Sequence, residues 1–359
     1  MLRFSQQLIK GIRRVKGMMV APHPTQLKRL NFAVTYRCNS RCKMCSIWRK
    51  NSDETVLGDQ ELSLDQMTHL FNGSRYLKSL EEINLTGGEP FLRKDFQDIY
   101  RYLRKTYPKT TIIITTNGLS GKHLLIENEK DIFWTILVFS LDGLEETNDS
   151  IRGIKGSYQQ VRKAIDYYKS HYPQLKLGIG FTILPENYHD LRKAYDLSAQ
   201  LNLSFTMRFA CQGETFYGNS DMIFHWTDEA LCQIESDVQS IVSEMTHSRN
   251  ILNRLLNPDL FFFSQMVTYQ RNKRRLFHCY SGVHSFFLDP SGSVFPCILS
   301  NEPIGNVAQE SFDDIWDSTT AKERRHSIAK GRCHCWTECE TILSLQRGLR
   351  HPKYREGLQ

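Results

Sequence analysis

The chain has 359 residues, of which 40% are hydrophobic and 24% charged. This composition is typical of a globular protein and excludes wholesale disorder and collagen-like or coiled-coil sequence. No apolar run approaches the roughly 20 residues that span a bilayer, and the N-terminus lacks the apolar segment of a secretory signal. The net charge of +7 comes from one end, because residues 1–50 hold twelve of the 46 Lys and Arg and no acidic residue, which leaves 34 basic against 39 acidic residues elsewhere.

Residues 1–20 show the pattern of a basic amphipathic helix. One apolar stripe recurs at helical spacing, formed by Phe4, Leu8, Ile12, Val15 and Met19. Such a helix either binds a membrane surface or a partner, or covers the core of its own protein with a solvated basic face. We favour the second interpretation and expect a cytoplasmic protein, with peripheral membrane contact through residues 1–20 as the alternative.

From residue 30 to residue 208 short apolar segments alternate with helical patterns. The predicted strands are Asn31–Thr35, Glu82–Leu85, Thr111–Thr115, Thr135–Ser140, Leu177–Thr182 and Ser204–Arg208. The predicted helices are Leu64–Phe71 with Ser63 as N-cap, Phe96–Thr106, Lys122–Glu129, Tyr158–His171 and Tyr188–Leu201. Six βα repeats predict an α/β fold with a parallel sheet. An open doubly wound sheet and an incomplete barrel both fit, and in either fold ligands bind where the strands end.

The pattern changes in the C-terminal part of the chain. Helices are predicted at Asp228–Thr246 and Ile251–Val267, and a hairpin is predicted to join Phe286–Leu288 to Ser293–Phe295. Few periodic apolar residues and several cysteines follow, which suggests that a metal centre contributes to the stability of this part. We expect four units: the basic helix 1–25, a barrel 26–215, a helical connector 216–270 and a cysteine-rich module 271–359.

Three of the ten cysteines lie within eight residues directly after the first predicted strand. Cys38, Cys42 and Cys45 have the spacing C-x3-C-x2-C. Three thiolates on one loop can ligate three corners of a cubane iron–sulfur cluster and leave the fourth iron open for a reactant. A structural zinc ion is the weaker alternative, because it needs a fourth ligand and the nearest, His23, is distant in sequence.

This loop resembles the cluster-binding loop of the radical S-adenosylmethionine (SAM) superfamily. The departure is Met44, where the family commonly has an aromatic residue before the third cysteine. The resemblance implies a partial (β/α)6 TIM-like barrel over residues 30–210. It also implies a [4Fe–4S] cluster with an open iron that chelates SAM, reductive cleavage of SAM to a 5′-deoxyadenosyl radical, and hydrogen abstraction from a substrate.

Positions after the next strands extend the resemblance. Gly87, Gly88, Glu89 and Pro90 follow the second strand and resemble the family's GGE motif, in which the glutamate meets the methionine amino group of SAM. Glycines allow close backbone approach, and a carboxylate suits an ammonium partner.

The ends of the third, fourth and sixth strands supply the remaining candidates. Thr116-Asn117-Gly118 is a turn that also occurs at this place in the family. Ser140 and Asp142 resemble the ribose-contacting position. Arg208 is a candidate partner for the methionine carboxylate.

A second set of cysteines lies in the C-terminal module. The spacing Cys279-x12-Gly292-x4-Cys297 resembles the start of the SPASM and twitch modules of the superfamily, which bind auxiliary [4Fe–4S] clusters. The remaining cysteines of this set are Cys333, Cys335 and Cys339. Because five thiols do not ordinarily saturate two cubanes, we expect one auxiliary cluster, bound by Cys279, Cys297, Cys339 and either Cys333 or Cys335. The alternative is a zinc knuckle that uses His334.

Two functional hypotheses follow for the substrate, a peptide or a small molecule such as a sugar, aminocyclitol or lipid. The expected partners are SAM and a low-potential electron donor such as flavodoxin or ferredoxin, and no nucleic acid is expected. Cys211, just past the sixth strand, could donate a hydrogen atom to a substrate radical, although a lone cysteine more often packs as a small apolar residue. A hypothesis from another class is a non-catalytic iron–sulfur or zinc protein, in which the GGEP sequence would have no function.

Overall fold

The computed structural model describes residues 27–51, 61–247, 257–331, 333 and 335–348. The predicted basic helix within residues 1–25 lies outside these residues, so it stays a prediction. In the described part of the chain no helix is long and apolar enough to cross a bilayer.

Within the described ranges, one nine-stranded sheet forms the centre of the structure. Its strands are β1 (Arg29–Thr35), β2 (Glu82–Gly87), β3 (Thr111–Thr116), β4 (Thr135–Ser140), β5 (Lys176–Ile183), β6 (Ser204–Phe209), β7 (Ser285–Leu288), β8 (Ser293–Phe295) and β9 (Gly305–Asn306). The strand order is β6-β5-β4-β3-β2-β1-β7-β8-β9. Neighbouring strands from β1 to β6 are parallel. The predicted α/β fold of a partial (β/α)6 barrel is therefore confirmed.

Helices connect the strands and cover the outside of the sheet. They are α1 (Leu64–Gly73), α2 (Phe96–Thr106), α3 (Glu129–Ile132), α4 (Glu145–Arg152), α5 (Ser157–His171), α6 (Leu191–Gln200), α7 (Asp228–His247), α8 (Pro258–Asn272), α9 (Phe312–Asp317), α10 (Thr319–Ala329) and α11 (Glu338–Gly348). Helix α1 begins at the predicted N-cap, because Ser63 Oγ accepts a hydrogen bond from the Gln66 amide at 3.2 Å and the Gln66 side chain accepts one from the Ser63 amide at 2.8 Å. This reciprocal pair satisfies two amides of the first turn.

The main apolar core lies between the sheet and these helices. Alternate residues of β3 and β4, such as Ile112, Ile114 and Phe139, are fully buried in it. The residues between them are half-exposed and face the other side of the sheet, since side chains alternate along a strand. The inner face of the barrel is therefore the more accessible one, as a substrate requires.

The prediction of a helix at Lys122–Glu129 is wrong, because only α3 forms there, from Glu129 onward. The preceding backbone is held by side chains instead. The Leu124 amide donates to Tyr168 Oη at 2.7 Å and the Leu125 amide to Gln97 Oε1 at 3.1 Å. Such bonds from α5 and α2 replace the intrahelical bonds that a helix would have made.

The C-terminal segment continues the sheet of the barrel. Strand β7 pairs in parallel with β1, and the predicted hairpin then pairs β7 with β8 in antiparallel. The segment is also anchored to helix α8, where Trp336 Nε1 donates to the Phe262 carbonyl at 3.0 Å and the two rings stack. The predicted domain limits at 215 and 270 stay predictions, but the described residues pack across the second of them.

Candidate active site

The first cysteine loop follows β1 at the carboxyl edge of the sheet. The thiols of Cys38, Cys42 and Cys45 are half-buried. Burial is the main cause that raises the pKa of Cys38 to about 12 and that of Cys45 to about 11, and neighbouring thiols add to it. Buried thiols of this kind ionise when a cationic metal centre binds them. The donor set therefore fits the cluster that the resemblance implies.

Gly87 and Gly88 bring the end of β2 against the start of the cysteine loop. Gly87 has φ +130°, and a Cβ at Gly88 would lie 2.1 Å from the Arg37 carbonyl oxygen. The contact is closed by hydrogen bonds from the Gly88 amide to the Thr35 carbonyl at 2.8 Å and from the Glu89 amide to the Arg37 carbonyl at 2.7 Å. The close approach expected for these glycines is thus to the protein's own backbone.

Glu89 is a fully buried carboxylate at the end of β2. It accepts hydrogen bonds from the Asn117 amide at 2.6 Å, Thr116 Oγ1 at 2.8 Å and the Phe91 amide at 3.2 Å. Burial nevertheless raises its pKa to about 7. A carboxylate in this state gains from a cationic partner, because an opposite charge within a few ångströms favours the ionised form. The site fits the ammonium group of SAM.

Asn117, in the turn after β3, connects Glu89 to the cysteine loop. While its amide donates to Glu89, its side chain Nδ2 donates to Asn39 Oδ1 at 2.8 Å and Ser40 Oγ at 2.9 Å. The same Nδ2 lies 4.0 Å from Cys38 Sγ. The polar turn thus fixes the loop relative to the glutamate.

Ser140 and Asp142 differ in their surroundings at the end of β4. Ser140 is half-exposed, which leaves it available to a ribose hydroxyl. The carboxylate of Asp142 is fully buried and has protein partners for both oxygens, the Thr182 amide at 2.6 Å and Arg152 Nη2 at 2.7 Å. We therefore carry only Ser140 forward as the ribose contact, which stays a prediction.

Arg208 joins the end of β6 to the C-terminal module. Its guanidinium forms an ion pair with Glu338 at 2.9 Å, and Thr206 Oγ1 donates to the other oxygen of Glu338 at 2.5 Å. Glu338 is the first residue of α11 and directly precedes Cys339. Contact of Arg208 with the methionine carboxylate of SAM stays a prediction, and it would have to coexist with this ion pair.

The second cysteine set gathers around the β7–β8 hairpin and the start of α11. Burial raises the pKa of Cys279, Cys297 and Cys339, and in each case the charge of Cys335 raises it further. By contrast, Cys333 is exposed, and its sulfur accepts a hydrogen bond from Arg275 Nη1 at 3.6 Å. These contacts favour Cys335 over Cys333 as the fourth ligand, a choice that spacing left open.

The arrangement of donors also bears on the zinc alternatives. Among the described residues, no three His, Cys, Asp or Glu side chains are grouped as a site for a single metal ion. Zinc draws its ligands to within about 2.3 Å of one centre, whereas a cubane spreads its thiolates over several irons. The zinc knuckle that would use His334 stays a prediction, because His334 lies outside the described residues.

One small apolar cluster contacts a member of each cysteine set. Cys45 and Cys339 both pack against it. Its buried members are Ala33, Ile47, Phe216, Phe287, Phe295 and Ile298. Cys211 is half-buried, and its sulfur lies 3.5 Å from the Phe209 carbonyl; a role as hydrogen-atom donor stays a prediction.

Sequence reasoning missed two residues of the site. Asn219 Nδ2 donates to the Met44 carbonyl at 2.7 Å and to the Cys211 carbonyl at 3.1 Å, which ties the cysteine loop to the segment after β6. Arg152 contacts Cys42 from the end of α4. Neither lies in a motif, and helix α4 itself was not predicted, so no signal in the single sequence pointed to them.

Comparisons with known proteins agree with this geometry. The model of the Radical SAM superfamily matches residues 32–198, and the model of the SPASM iron–sulfur cluster-binding domain matches residues 279–340. The AdoMet-dependent heme synthase of Methanosarcina barkeri is 25% identical over 312 residues, which are 84% of this chain and 85% of that protein. The antilisterial bacteriocin subtilosin biosynthesis protein AlbA of Bacillus subtilis is 26% identical over 80% of this chain and 59% of AlbA.

A solved structure shows the same fold. The crystal structure of SuiB from Streptococcus suis bound to S-adenosylmethionine aligns with a TM-score of 0.59 over 84% of this chain and 68% of SuiB, at 13% identity. The two matched models contain, in order, the cysteine loop with Glu89 and the second cysteine set. The chain therefore contains a radical SAM domain followed by a C-terminal SPASM module, and it is a radical SAM enzyme whose cofactors are [4Fe–4S] clusters and S-adenosylmethionine.

Proposed function

We propose that this enzyme cleaves SAM reductively and uses the resulting radical to abstract hydrogen from a peptide or small-molecule substrate, which it modifies or oxidises. The observation that carries the proposal is the buried carboxylate of Glu89, which Asn117 connects to the loop of Cys38. A buried carboxylate that is stabilised by a cationic partner, beside three thiols, is suited to SAM, which carries an ammonium group. A protein that only carries electrons does not need such a carboxylate.

Each group at the carboxyl edge has one task in this proposal. Cys38, Cys42 and Cys45 would hold the first cluster, which when bound supplies the low-potential electron for SAM cleavage. Glu89 accepts hydrogen bonds from the ammonium group of SAM. Ser140 forms a hydrogen bond with a ribose hydroxyl of SAM. The apolar cluster beside Cys45 excludes water from the reacting centre.

The second cysteine set serves the oxidation of the substrate. After the substrate loses a hydrogen atom to the adenosyl carbon, loss of one further electron and a proton completes a two-electron oxidation. Cys279, Cys297, Cys335 and Cys339 would hold the auxiliary cluster, which when bound would supply an acceptor for this electron. A flavodoxin or ferredoxin would supply the reducing electron to the enzyme.

The test is SAM cleavage by the reconstituted enzyme. Anaerobic reconstitution should give about eight irons per chain for two cubanes, and dithionite with SAM should then give 5′-deoxyadenosine. Cys42→Ala should abolish this product, whereas Cys232→Ala, which changes an exposed cysteine on α7, should leave it unchanged. Absence of 5′-deoxyadenosine from a fully loaded sample refutes the proposal.

For the substrate, the match over 84% of this chain and 85% of the heme synthase favours a small molecule, and specifically a tetrapyrrole. The peptide hypothesis rests on the resemblance to AlbA, of which this chain covers 59%. Incubation with iron porphyrins or with peptides distinguishes the two, because the true substrate accelerates 5′-deoxyadenosine formation and changes mass. Acceleration by peptides alone would reverse our preference.

A further inference from the structure

The C-terminal end of α4 is bound to the first cysteine loop through its backbone. The amides of Arg41 and Lys43 donate to the carbonyls of Arg152 and Ile151, both at 2.9 Å. The helix ends at Gly153, which has φ +67° and packs so closely that a Cβ there would lie 2.4 Å from the Arg41 carbonyl oxygen. Two of the last carbonyls of α4, which a helix leaves without intrahelical partners, thus fix the loop between Cys38 and Cys45.

The side chain of Arg152 adds a contact to a thiol. Its Nη1 lies 3.5 Å from Cys42 Sγ and donates to it. Its Nη2 forms an ion pair with Asp142 Oδ2 at 2.7 Å. The side chain of Arg152 is 11% exposed and that of Asp142 is fully buried, so water screens this pair little. One guanidinium therefore bridges the end of β4 to the middle cysteine of the loop.

Asp142 itself is held in place by its neighbours. The Thr182 amide donates to Asp142 Oδ1 at 2.6 Å, the Asp142 amide donates to Asn148 Oδ1 at 2.8 Å, and Asn187 Nδ2 donates to the Asp142 carbonyl at 2.8 Å. With its backbone and both carboxylate oxygens bound, the aspartate is a rigid anchor for Arg152. The ion pair with this aspartate restrains the guanidinium beside Cys42.

We propose that Arg152 is a positioning residue that orients Cys42 and raises the reduction potential of the SAM-binding cluster, and that Asp142 limits this effect. The positive charge of Arg152 stabilises the thiolate forms of Cys38, Cys42 and Cys45. Hydrogen bonds to the sulfurs and local charge are the main protein properties that set cluster potentials. This inference rests on the proposed ligation by Cys42.

The sign of the effect follows from charge. A cation near the cluster stabilises the reduced form, which carries one more negative charge than the oxidised form. Arg152→Gln removes the cation and should lower the potential. Asp142→Asn leaves the cation without its counter-charge and should raise it. Arg152→Lys keeps the charge and should remain near the wild-type potential.

The experiment is an anaerobic redox titration of the reconstituted full chain, followed by EPR without SAM. The SAM-binding cluster is identified as the one whose signal changes when SAM is added. We expect Arg152→Gln to shift the equilibrium between its two forms at least tenfold, which is 59 mV for one electron. The control is Arg101→Gln, which removes an exposed arginine of α2 that forms ion pairs with Asp98 and Glu127. This variant should leave the potential unchanged.

The possible failures are separable. Potentials of Arg152→Gln and Asp142→Asn equal to that of the Arg101 control, at wild-type iron content, would overturn the inference and leave the proposed function intact. If Arg152→Gln fails to retain iron, the potentials of Asp142→Asn and Arg152→Lys test the inference instead. A potential of Asp142→Asn that is not higher than that of the wild type refutes the inference. A wild-type chain with no SAM-responsive signal refutes the proposed function and this inference together.

Discussion

Replacement of Gly88 by alanine is a direct test of how the end of β2 supports the cysteine loop. An alanine Cβ would lie 2.1 Å from the Arg37 carbonyl oxygen and 2.6 Å from its carbon, where real Cβ atoms essentially never come closer than 3.0 Å. The two backbones must therefore separate by about 0.9 Å. Both atoms belong to the backbone, so no side-chain rotation can relieve the clash.

The expected cost follows from the bonds that this separation stretches. The Gly88 amide bonds the Thr35 carbonyl at 2.8 Å, and the Glu89 amide bonds the Arg37 carbonyl at 2.7 Å. At about 1 kcal/mol for each hydrogen bond, their loss lowers the free energy of unfolding by about 2 kcal/mol, before any strain is counted. Because Arg37 directly precedes Cys38, iron retention should fall as well.

Urea unfolding of the apo-protein and iron content after reconstitution are the assays. The matched control is Gly73→Ala at the end of α1, where an added Cβ meets nothing within 4 Å; this variant should be as stable as the wild type or slightly more stable. An equal unfolding midpoint for Gly88→Ala and Gly73→Ala, with equal iron, would refute the structural role that we assign to Gly88.

Three further outcomes are expected. Glu89→Gln should weaken SAM binding by roughly tenfold or more, and wild-type affinity should fall as the pH drops through about 7, because protonated Glu89 carries no charge for the ammonium; calorimetry at two pH values that shows neither effect contradicts this role. Cys335→Ala should lose about four irons per chain while Cys333→Ala keeps them, and the reverse would exchange our assignment. Deletion of residues 1–20 should reduce binding to anionic vesicles if the lipid alternative holds, and unchanged binding removes its support.

Much of the barrel could be predicted because its signals are local. Buried parallel strands are short apolar segments, and strand β4 (Thr135–Ser140) occurs with the predicted limits. Helix α2 (Phe96–Thr106) also occurs with the predicted limits. The extended segment before Glu129 was predicted wrongly because the groups that hold it come from α2 and α5. Sequence periodicity does not contain such tertiary bonds.

The same distinction between local sequence signals and tertiary contacts applies to the residues of the site. Motif positions such as Glu89 and Cys42 follow strands, so the sequence indicated where they lie. Their partners could not be found from one sequence, because Arg152 is 110 residues from Cys42 and lies at the end of a polar helix without a clear apolar stripe. The assignment of Cys335 rather than Cys333 likewise depends on burial, which the C-x-C spacing does not encode.

The pairing of β7 with β1 has a consequence for any shortened form of this enzyme. All seven residues of β1 are buried, and β7 occupies one of its two edges. A chain cut at residue 270 would leave that edge of a buried strand without hydrogen-bond partners, a surface on which strands of other molecules can add. Such a fragment should self-associate, so the barrel is best studied with its cysteine-rich segment attached.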